Sequence, residues 1–319
     1  MEPIVEKDTW LDSEIGKISP DSVAILGTDS QIHLFDGSNK HYFQYFDPAG
    51  YQISEKFVDS ITIHTKSLSQ ANAKFQVHIS PNKSTCLNQT FGLYTPDGMT
   101  VAMKKLIAEN NPAVTVSFLD ENGDFESDQS AWWKTDCHIN SLGAYSSALQ
   151  ILEKWNIDIL PADTKEYVNE YTDLSKRWPG VRYLEPVNRR LFSKNSTSIH
   201  EYVYQNYDSE SQKLRGRCSI TIGNSAREES LLVVGQSTMG HGLVPENVSY
   251  WILPHFKTSV VLTEAQLPTL DFASKFSHVL FSLEERFIFG GIGVDTFNSF
   301  ISSHGSYEDF HTNFEKFFG

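Results

Sequence analysis

Residues 135–155 read TDCHINSLGAYSSALQILEKW, which is the clearest helix pattern in the chain. Apolar residues recur every three or four positions: Ile139, Leu142, Tyr145, Leu149 and Leu152. This period predicts a long amphipathic helix with Cys137 in its first turn and Asp136 or Thr135 as its cap. A thiol at a helix N-terminus lies at the positive end of the helix dipole, which stabilises the thiolate. Cys137 is therefore the first candidate for a catalytic nucleophile.

Length, charge and composition limit the classes of function. The chain has 319 residues, enough for one large domain or two ordinary ones. Its net charge of −14 opposes nucleic acid and anionic membrane surfaces, so a basic target protein is the expected partner. The acidic N-terminus differs from a Sec signal, and no apolar run approaches the roughly 18 residues of a spanning helix. We expect a cytoplasmic protein, or one that enters a host cytoplasm without a Sec signal.

The cysteines and histidines indicate no disulfide or metal framework. The chain has three cysteines, Cys86, Cys137 and Cys218, and none is spaced as C-x-x-C. A reducing compartment is therefore expected. Cys218 lies in the alternating run GRCSITIG, which predicts a core position. The 11 histidines include no H-x-x-x-H pair, so the spacing predicts no metal site.

Elsewhere the patterns predict an α+β protein. Short aromatic and β-branched runs separated by turns predict an N-terminal β-meander over 22–64. Further strands are predicted at 74–80, 89–95 and 114–120 and in the runs CSITIG and SLLVVGQ. Helices are predicted at 99–110, at 163–178 and, as a short one, within 190–205. The tail, 265–319, is expected to mix helices with a Gly-Gly-Ile-Gly turn. We expect a catalytic domain over 1–210 and a mixed C-terminal α+β region over 211–319.

The segment from Asp136 to Leu142 resembles the nucleophile motif of the YopJ-type effector acetyltransferases. That motif has an acidic residue, then Cys, then a Ser-Leu pair. These enzymes share the fold of the ubiquitin-like-protein proteases and the adenovirus protease. Their catalytic residues run His, then Asp or Glu, then Cys, usually after a Gln. His78 and Asp97 precede Cys137 at similar separations. The resemblance implies an α+β fold of the ubiquitin-like-protease type.

The same resemblance, which covers about residues 70–205, implies papain-like chemistry. His78 would accept the thiol proton, Asp97 would orient the imidazole, and Cys137 would attack an acyl carbonyl. Gln129 would donate an N–H to the oxyanion. Acetyl-CoA would acylate the thiol, and the acetyl group would pass to a Ser, Thr or Lys of a target protein, as in a bacterial virulence effector. The alternative enzyme is a ubiquitin-like-protein cysteine protease.

A second segment extends the resemblance. Residues 191–197, LFSKNST, are similar to a family segment that reads Lys-His-(Thr/Ala)-Gln-Ser. In the family this segment belongs to a region that binds inositol hexakisphosphate. The resemblance implies that Lys194 and Arg190, with Arg189 beside them, bind this polyanion through charge-assisted hydrogen bonds. The alternative is a solvated basic turn.

Other nucleophile and base assignments remain open. His41 and Asp59 would face each other across a hairpin turn, and His33 with Asp47 resembles the adenovirus-type pair. Cys86 is a rival nucleophile that would use His33 and Asp47.

Two glycine-containing segments and a further class of function also remain. Gly240-His241-Gly242 offers either a histidine in the papain-like order or a flexible turn. The run GQSTMG, residues 235–240, lacks the second glycine spacing of a nucleophile elbow. In a different class of function, the chain is a protein-binding module in which Cys137 only packs and the aromatic meander contacts the partner.

Overall fold

The computed structural model describes the following parts of the chain: residues 19–21, 24–26, 32–34, 55–87, 113–119, 129–133, 136–169, 185–193, 199–207, 214–223, 225, 227–235, 239, 244–264 and 270–284. The strands are β1 (Ala24–Leu26), β2 (Ile32–Leu34), β3 (Lys74–Ser80), β4 (Val114–Val116), β5 (Ala162–Asn169), β6 (Glu185–Phe192), β7 (Ile199–Tyr207), β8 (Leu214–Gly223), β9 (Ser230–Gly235), β10 (Thr258–Glu264) and β11 (His278–Glu284). The helices are α1 (Glu55–Gln70), α2 (Lys83–Cys86), α3 (Ser141–Lys154), α4 (Val248–Ile252) and α5 (Leu270–Ala273), with short 3-10 turns at Gln129–Ala131 and Leu253–His255.

A seven-stranded sheet organises the described part of the chain. Its order is β4-β3-β11-β9-β10-β8-β7. Neighbours from β4 to β10 pair in parallel, and β8 and β7 add an antiparallel edge. The five parallel strands therefore end at one edge, which we call the carboxyl edge. It is formed by the ends of these strands: Val116, Ser80, Glu284, Gly235 and Glu264. The other described strands form two antiparallel pairs, β1-β2 and β5-β6.

Helices cover both faces of the sheet. On one face α3 and α4 share a buried apolar cluster with Leu231, Val233 and Leu280. Phe281 follows Leu280 on β11 and so points to the opposite face. There its ring contacts that of His64 on α1, with centroids 6.1 Å apart. β11 is buried along its whole length, as expected for a parallel strand between two helical layers.

The predicted α+β, ubiquitin-like-protease fold is wrong, since the sheet is mostly parallel and lies between helices. Parallel neighbours need long crossovers, and β3 pairs with β11 about two hundred residues further along the chain. Sequence patterns are local and carry no signal for this pairing. The strands β7 and β8, on either side of the predicted boundary near 210, also pair with each other.

Several local predictions were also wrong. Residues 55–64, read as meander strands, begin helix α1. The alternation in SITIHT is short, whereas the buried residues Ile61, His64 and Leu68 follow the helical period. Residues 162–169 were expected to be mostly helical but form β5, because their partner β6 supplies a ladder. Residues 199–207 form β7 instead of a short helix.

Other local predictions were confirmed. The strand at 74–80, the strands within CSITIG and SLLVVGQ, and the amphipathic helix after Cys137 are all present. Of the predicted meander, β1 and β2 form an antiparallel pair. The predicted elements at 89–95 and 99–110 and the Gly-Gly-Ile-Gly turn lie outside the described residues. Among the helices that are described, none has both the length and the apolar character required to span a membrane.

The start of α3 packs very closely on the preceding 3-10 turn. The Asn140 N–H donates to the Ala131 carbonyl at 2.9 Å, and Trp132 forms an isolated antiparallel bridge with Ile139. A Cβ placed on Gly143 would lie 2.4 Å from the Ala131 oxygen and 2.9 Å from the Ile139 Cβ. The turn can therefore approach the helix only because residue 143 has no side chain.

Gly143→Ala tests this approach. Alanine normally stabilises a helix interior by about 1 kcal/mol relative to glycine. Here the clash with the Ala131 oxygen involves backbone and must be relieved by a shift, so we expect a net loss of about 1–3 kcal/mol in the free energy of unfolding. Urea denaturation measures it, with Ser146→Ala in the same helix as the control. A variant as stable as the wild type would contradict the close approach.

Candidate active site

The residues from Asp136 to Asn140 form the approach to α3, not its first turn. The helix begins at Ser141, and Asn140 is its N-cap. The Asn140 Oδ1 accepts hydrogen bonds from the Leu142 and Gly143 N–H groups at 2.9 and 3.3 Å. Its amide Nδ2 also donates to the Ser130 carbonyl at 2.6 Å. The prediction that Asp136 or Thr135 caps the helix, with Cys137 in the first turn, is therefore wrong, because Asn140 satisfies both the helix and the preceding turn.

A buried lysine fixes this approach at the carboxyl edge. Lys83 lies three residues after the end of β3 and is 3% exposed. Its Nζ donates to the carbonyls of Ile32 at 3.0 Å, Trp133 at 2.6 Å and Asp136 at 2.9 Å. Because α2, which carries Lys83, directly follows β3, these bonds place Asp136 beside the end of that strand.

Asp136 and His138 form the reactive pair of the site. The Asp136 Oδ1 lies 2.7 Å from His138 Nδ1 and also accepts the His138 backbone N–H at 3.1 Å. Asp136 is buried, whereas the His138 side chain is 35% exposed. Since a carboxylate only accepts, His138 Nδ1 carries a proton, and in the neutral ring Nε2 is the nitrogen with the lone pair. This is the arrangement of an oriented general base.

The neighbouring side chains of Asp136 and Cys137 change the pKa of His138. Burial lowers the pKa of His138, but the hydrogen bonds to Asp136 and Cys137 and their negative charges outweigh it. The pKa of His138 therefore lies above its ordinary value of 6.5. The imidazole is a stronger proton acceptor than an isolated histidine.

Cys137 lies beside this pair, but its geometry does not suit the predicted nucleophile. Its Sγ is 3.7 Å from His138 Nδ1. That nitrogen already donates to Asp136 at the shorter distance of 2.7 Å, so it cannot accept the thiol proton in the same state.

His78, the predicted base, lies in β3 and is fully buried. Its Nδ1 is 2.8 Å from Ser282 Oγ on β11, and its Nε2 is 2.6 Å from Ser117 Oγ just after β4. Burial lowers the pKa of His78 to about 3, so the ring is neutral and connects three strands. Both nitrogens have hydroxyl partners, and the sulfur of Cys137 contacts a different histidine. His78 as the base stays a prediction, and the geometry favours His138 in that role.

The other predicted site residues are only partly visible. Asp97 and Lys194 lie outside the described residues, as does the side chain of Gln129. Arg190 lies on β6, where its backbone N–H donates to Ser141 Oγ at 2.8 Å. Its guanidinium stacks on the Tyr145 ring at 4.1 Å from the centroid. Polyanion binding by Arg190 and Lys194 stays a prediction.

The rival site residues are not brought together by what the structure describes. Cys86 is buried. The side chains of four others lie outside the described residues: His41, Asp47, Asp59 and His241.

The central strand β9 ends at the same edge, and Met239 packs against its last residue. A Cβ on Gly235 would lie 2.6 Å from Met239 Cγ and 3.5 Å from Ser282 Cβ. The buried Ser249 on α4 donates its hydroxyl to the Met239 carbonyl. On the same helix, Trp251 packs edge-on against Tyr145 of α3 with centroids 5.1 Å apart. Met239, α4 and α3 therefore lie on one face of the sheet. The residues between, 236–238, lie outside the described parts.

Comparison with known proteins identifies the fold. No protein-family model matches the chain, and no curated protein matches it in sequence. A DHHW family protein from Eubacterium siraeum has a TM-score of 0.58 at 14% identity, over 88% of this chain and 100% of that one. Bacillus cereus PatB1, solved with a sulfonyl adduct, has a TM-score of 0.57 at 17% identity, over 88% and 99%. The O-acetyltransferase domain of Pseudomonas putida AlgJ has a TM-score of 0.51 at 13% identity, over 83% and 92%.

The predicted relationship to YopJ-type acetyltransferases and ubiquitin-like proteases is therefore wrong. The chain shares the fold of these structural neighbours, with a mostly parallel sheet between helices. Cys137 as the nucleophile stays a prediction, and the closest contact in this segment joins Asp136 to the next residue, His138. The signal that was missed is the Asp-x-His spacing of Asp136 and His138. In a bend, two residues at this spacing can bring their side chains to the same side of the chain.

Lys83→Met tests whether the hydrogen bonds of the buried ammonium stabilise the candidate site. Methionine keeps the apolar stem but removes the donor from three buried carbonyls. We expect the free energy of unfolding to fall by about 2–5 kcal/mol, because these acceptors lose a charged partner. Urea denaturation measures the change, and Lys66→Met, at an exposed position on α1, is the control. Equal losses in the two variants would show that the buried ammonium has no special role.

Proposed function

We propose that the chain is a serine-type O-acyltransferase in which His138 is the general base, Asp136 orients it and Ser237 carries the acyl group. The observation that carries this proposal is the 2.7 Å contact between Asp136 Oδ1 and His138 Nδ1 at the carboxyl edge of a parallel sheet. In open α/β folds, ligands bind outside the carboxyl ends of the strands.

Ser237 is chosen from its place in the sequence. It is the second residue after Gly235, where β9 ends, and the second before Met239. A sharp turn after a central parallel strand can present a nucleophile at the sheet edge. The lysine contacts place Asp136 beyond β3, and β9 is two strands away from β3. At about 4.8 Å per strand, the two strand ends lie about 10 Å apart, a gap that two loops and their side chains can span.

The reaction would proceed in two acyl transfers. Ser237 Oγ attacks the carbonyl of an acyl donor, and its proton passes to His138 Nε2. The tetrahedral intermediate collapses, and the leaving group takes that proton. An acceptor hydroxyl then attacks the acyl-serine, gives its proton to Nε2, and Ser237 leaves with the proton returned. Throughout, Nδ1–H remains hydrogen-bonded to Asp136, whose charge stabilises the imidazolium.

The names of the structural neighbours support this chemistry. One is an O-acetyltransferase domain, and another carries a sulfonyl adduct. Sulfonyl groups react with activated hydroxyl nucleophiles. These names favour a serine-type mechanism over acyl transfer through a cysteine. Acetyl-CoA as donor and a target protein as acceptor stay proposals.

Covalent labelling distinguishes serine from cysteine. We expect an aryl sulfonyl fluoride to add one sulfonyl group to Ser237, located by peptide mass spectrometry. Ser237→Ala should lose the label and lower acetyl transfer from p-nitrophenyl acetate to an alcohol by about 10³-fold or more. Cys137→Ala should keep the label and most of the transfer, because its sulfur takes no step. Ser274→Ala, at a surface serine, is the matched control.

Two outcomes would overturn the proposal. If the label and the activity survive in Ser237→Ala, this serine is not the nucleophile. If Cys137→Ala alone abolishes both while its circular dichroism is unchanged, the reaction is cysteine-based.

The pH profile tests the pair of Asp136 and His138. The base must be neutral, and its pKa is raised, so kcat/KM should rise with pH through a midpoint above 6.5. Asp136→Asn removes the acid that raises this pKa, so the midpoint should move to lower pH while the maximum falls by up to about 10⁴-fold. Nuclear magnetic resonance titration of His138 reads the same shift without turnover. A midpoint that is unchanged in Asp136→Asn would contradict the pairing.

A further inference from the structure

We propose that Asp136, Cys137 and His138 form a binding site for a thiophilic divalent cation such as Zn²⁺, and that the bound cation switches off the base. The binding itself stands on the geometry of these three residues, and the inhibition rests on the proposed function. The sequence spacing predicted no metal site, because the ligands are consecutive residues that converge only through the bend before α3.

The three side chains already point to one place. One carboxylate oxygen of Asp136, the sulfur of Cys137 and one ring nitrogen of His138 all lie within 4.8 Å of one another. Zinc bonds of about 2.3 Å to sulfur and about 2.0–2.1 Å to nitrogen and oxygen put tetrahedral ligand atoms about 3.3–3.6 Å apart. The distance from Sγ to Nδ1 is 3.7 Å, close to this value. The distance from Nδ1 to Oδ1 is 2.7 Å and has to open by about half an ångström.

The donor set is selective for a soft cation. A thiolate, an imidazole and a single carboxylate suit Zn²⁺ or Co²⁺, whereas Mg²⁺ and Ca²⁺ require mostly oxygen ligands. Three protein ligands leave a fourth position for water, the pattern of an open zinc site. The half-buried Cys137 and the partly exposed His138 give the cation access from solvent. The bond from Lys83 to the Asp136 carbonyl holds the loop in place.

Metal binding would reverse the tautomer of His138. In the pair with Asp136, Nδ1 carries the proton and Nε2 is the acceptor. A cation on Nδ1 needs the lone pair of that nitrogen, so Nδ1 gives up its proton and the metal-bound ring carries one on Nε2. The thiol of Cys137 also loses its proton, and the protons that the cation displaces go to solvent. With a proton on Nε2, His138 cannot accept one from a serine hydroxyl, and acyl transfer stops.

Cobalt absorption tests binding without turnover. Titrating the full chain with Co²⁺ should produce a near-ultraviolet sulfur-to-cobalt charge-transfer band that Zn²⁺ displaces and Mg²⁺ does not. The band should vanish in Cys137→Ala. It should persist in His200→Ala, which removes an exposed histidine on β7. Cys137→Ser, which keeps the side-chain shape, should also lose it. A band that survives in both Cys137 variants, or no band in the wild type, overturns the site.

Inhibition is measured separately. Zn²⁺ should inhibit acetyl transfer by the wild type, and Cys137→Ala should raise the half-inhibitory concentration by more than about tenfold, measured against its own activity without zinc. Equal sensitivity in the two proteins overturns the inhibitory role. A cobalt band that depends on Cys137 in a protein with no acylation at Ser237 would confirm the metal site and refute the proposed function. Acylation at Ser237 in a protein without the cobalt band would confirm the proposed function and refute the metal site.

Discussion

The ammonium group of Lys83 is the contact on which the candidate site depends. It joins the start of α2 to two segments that are far away in the sequence, one through the carbonyl of Ile32 and the other through those of Trp133 and Asp136. A cation so deeply buried is tolerated only with polar partners, and here those partners are backbone oxygens that must hold their positions. Because Lys83 follows β3 directly, the bonds fix the approach to α3 against the carboxyl edge. The local position of Asp136 is therefore set by the sheet rather than by the loop alone.

A second buried polar group, the imidazole of His78, connects the strands next to the carboxyl edge. His78 pairs in register with Ser282 on the neighbouring strand and bonds to its hydroxyl, while Ser117 bonds to the other ring nitrogen. A neutral imidazole can donate at one nitrogen and accept at the other, so both hydroxyls are satisfied. The Cβ of Ser282 also lies 3.5 Å from the place a side chain would take on Gly235. His78 thus connects β3, β4 and β11 close to the end of β9.

The sequence predicted the elements with strong local patterns and missed those that tertiary contacts decide. The strand at 74–80 and helix α3 have clear periods, and both are present. β11 was not predicted, because its run HVLFSLE is short and pairs only with strands far away in the chain. β5 is exposed at residues 163–166 and carries charged residues, and its pairing with β6 makes it a strand. The same holds for the candidate site. The sequence pattern singled out the segment around Cys137, but the contact between Asp136 and His138 depends on a bend that periodicity does not encode.

The position of Cys137 between the acid and the base has a chemical consequence of its own. The chain bends at Asp136–His138, and this bend brings the Asp136 carboxylate to the His138 imidazole. The same bend places the Cys137 sulfur 3.7 Å from the same ring nitrogen. Any residue at this position therefore modifies the base. An uncharged side chain would leave the carboxylate as the neighbouring charge, whereas a thiolate adds a second negative charge, which raises the pKa of His138 further. A cysteine here makes the strength of the base depend on whatever the sulfur binds.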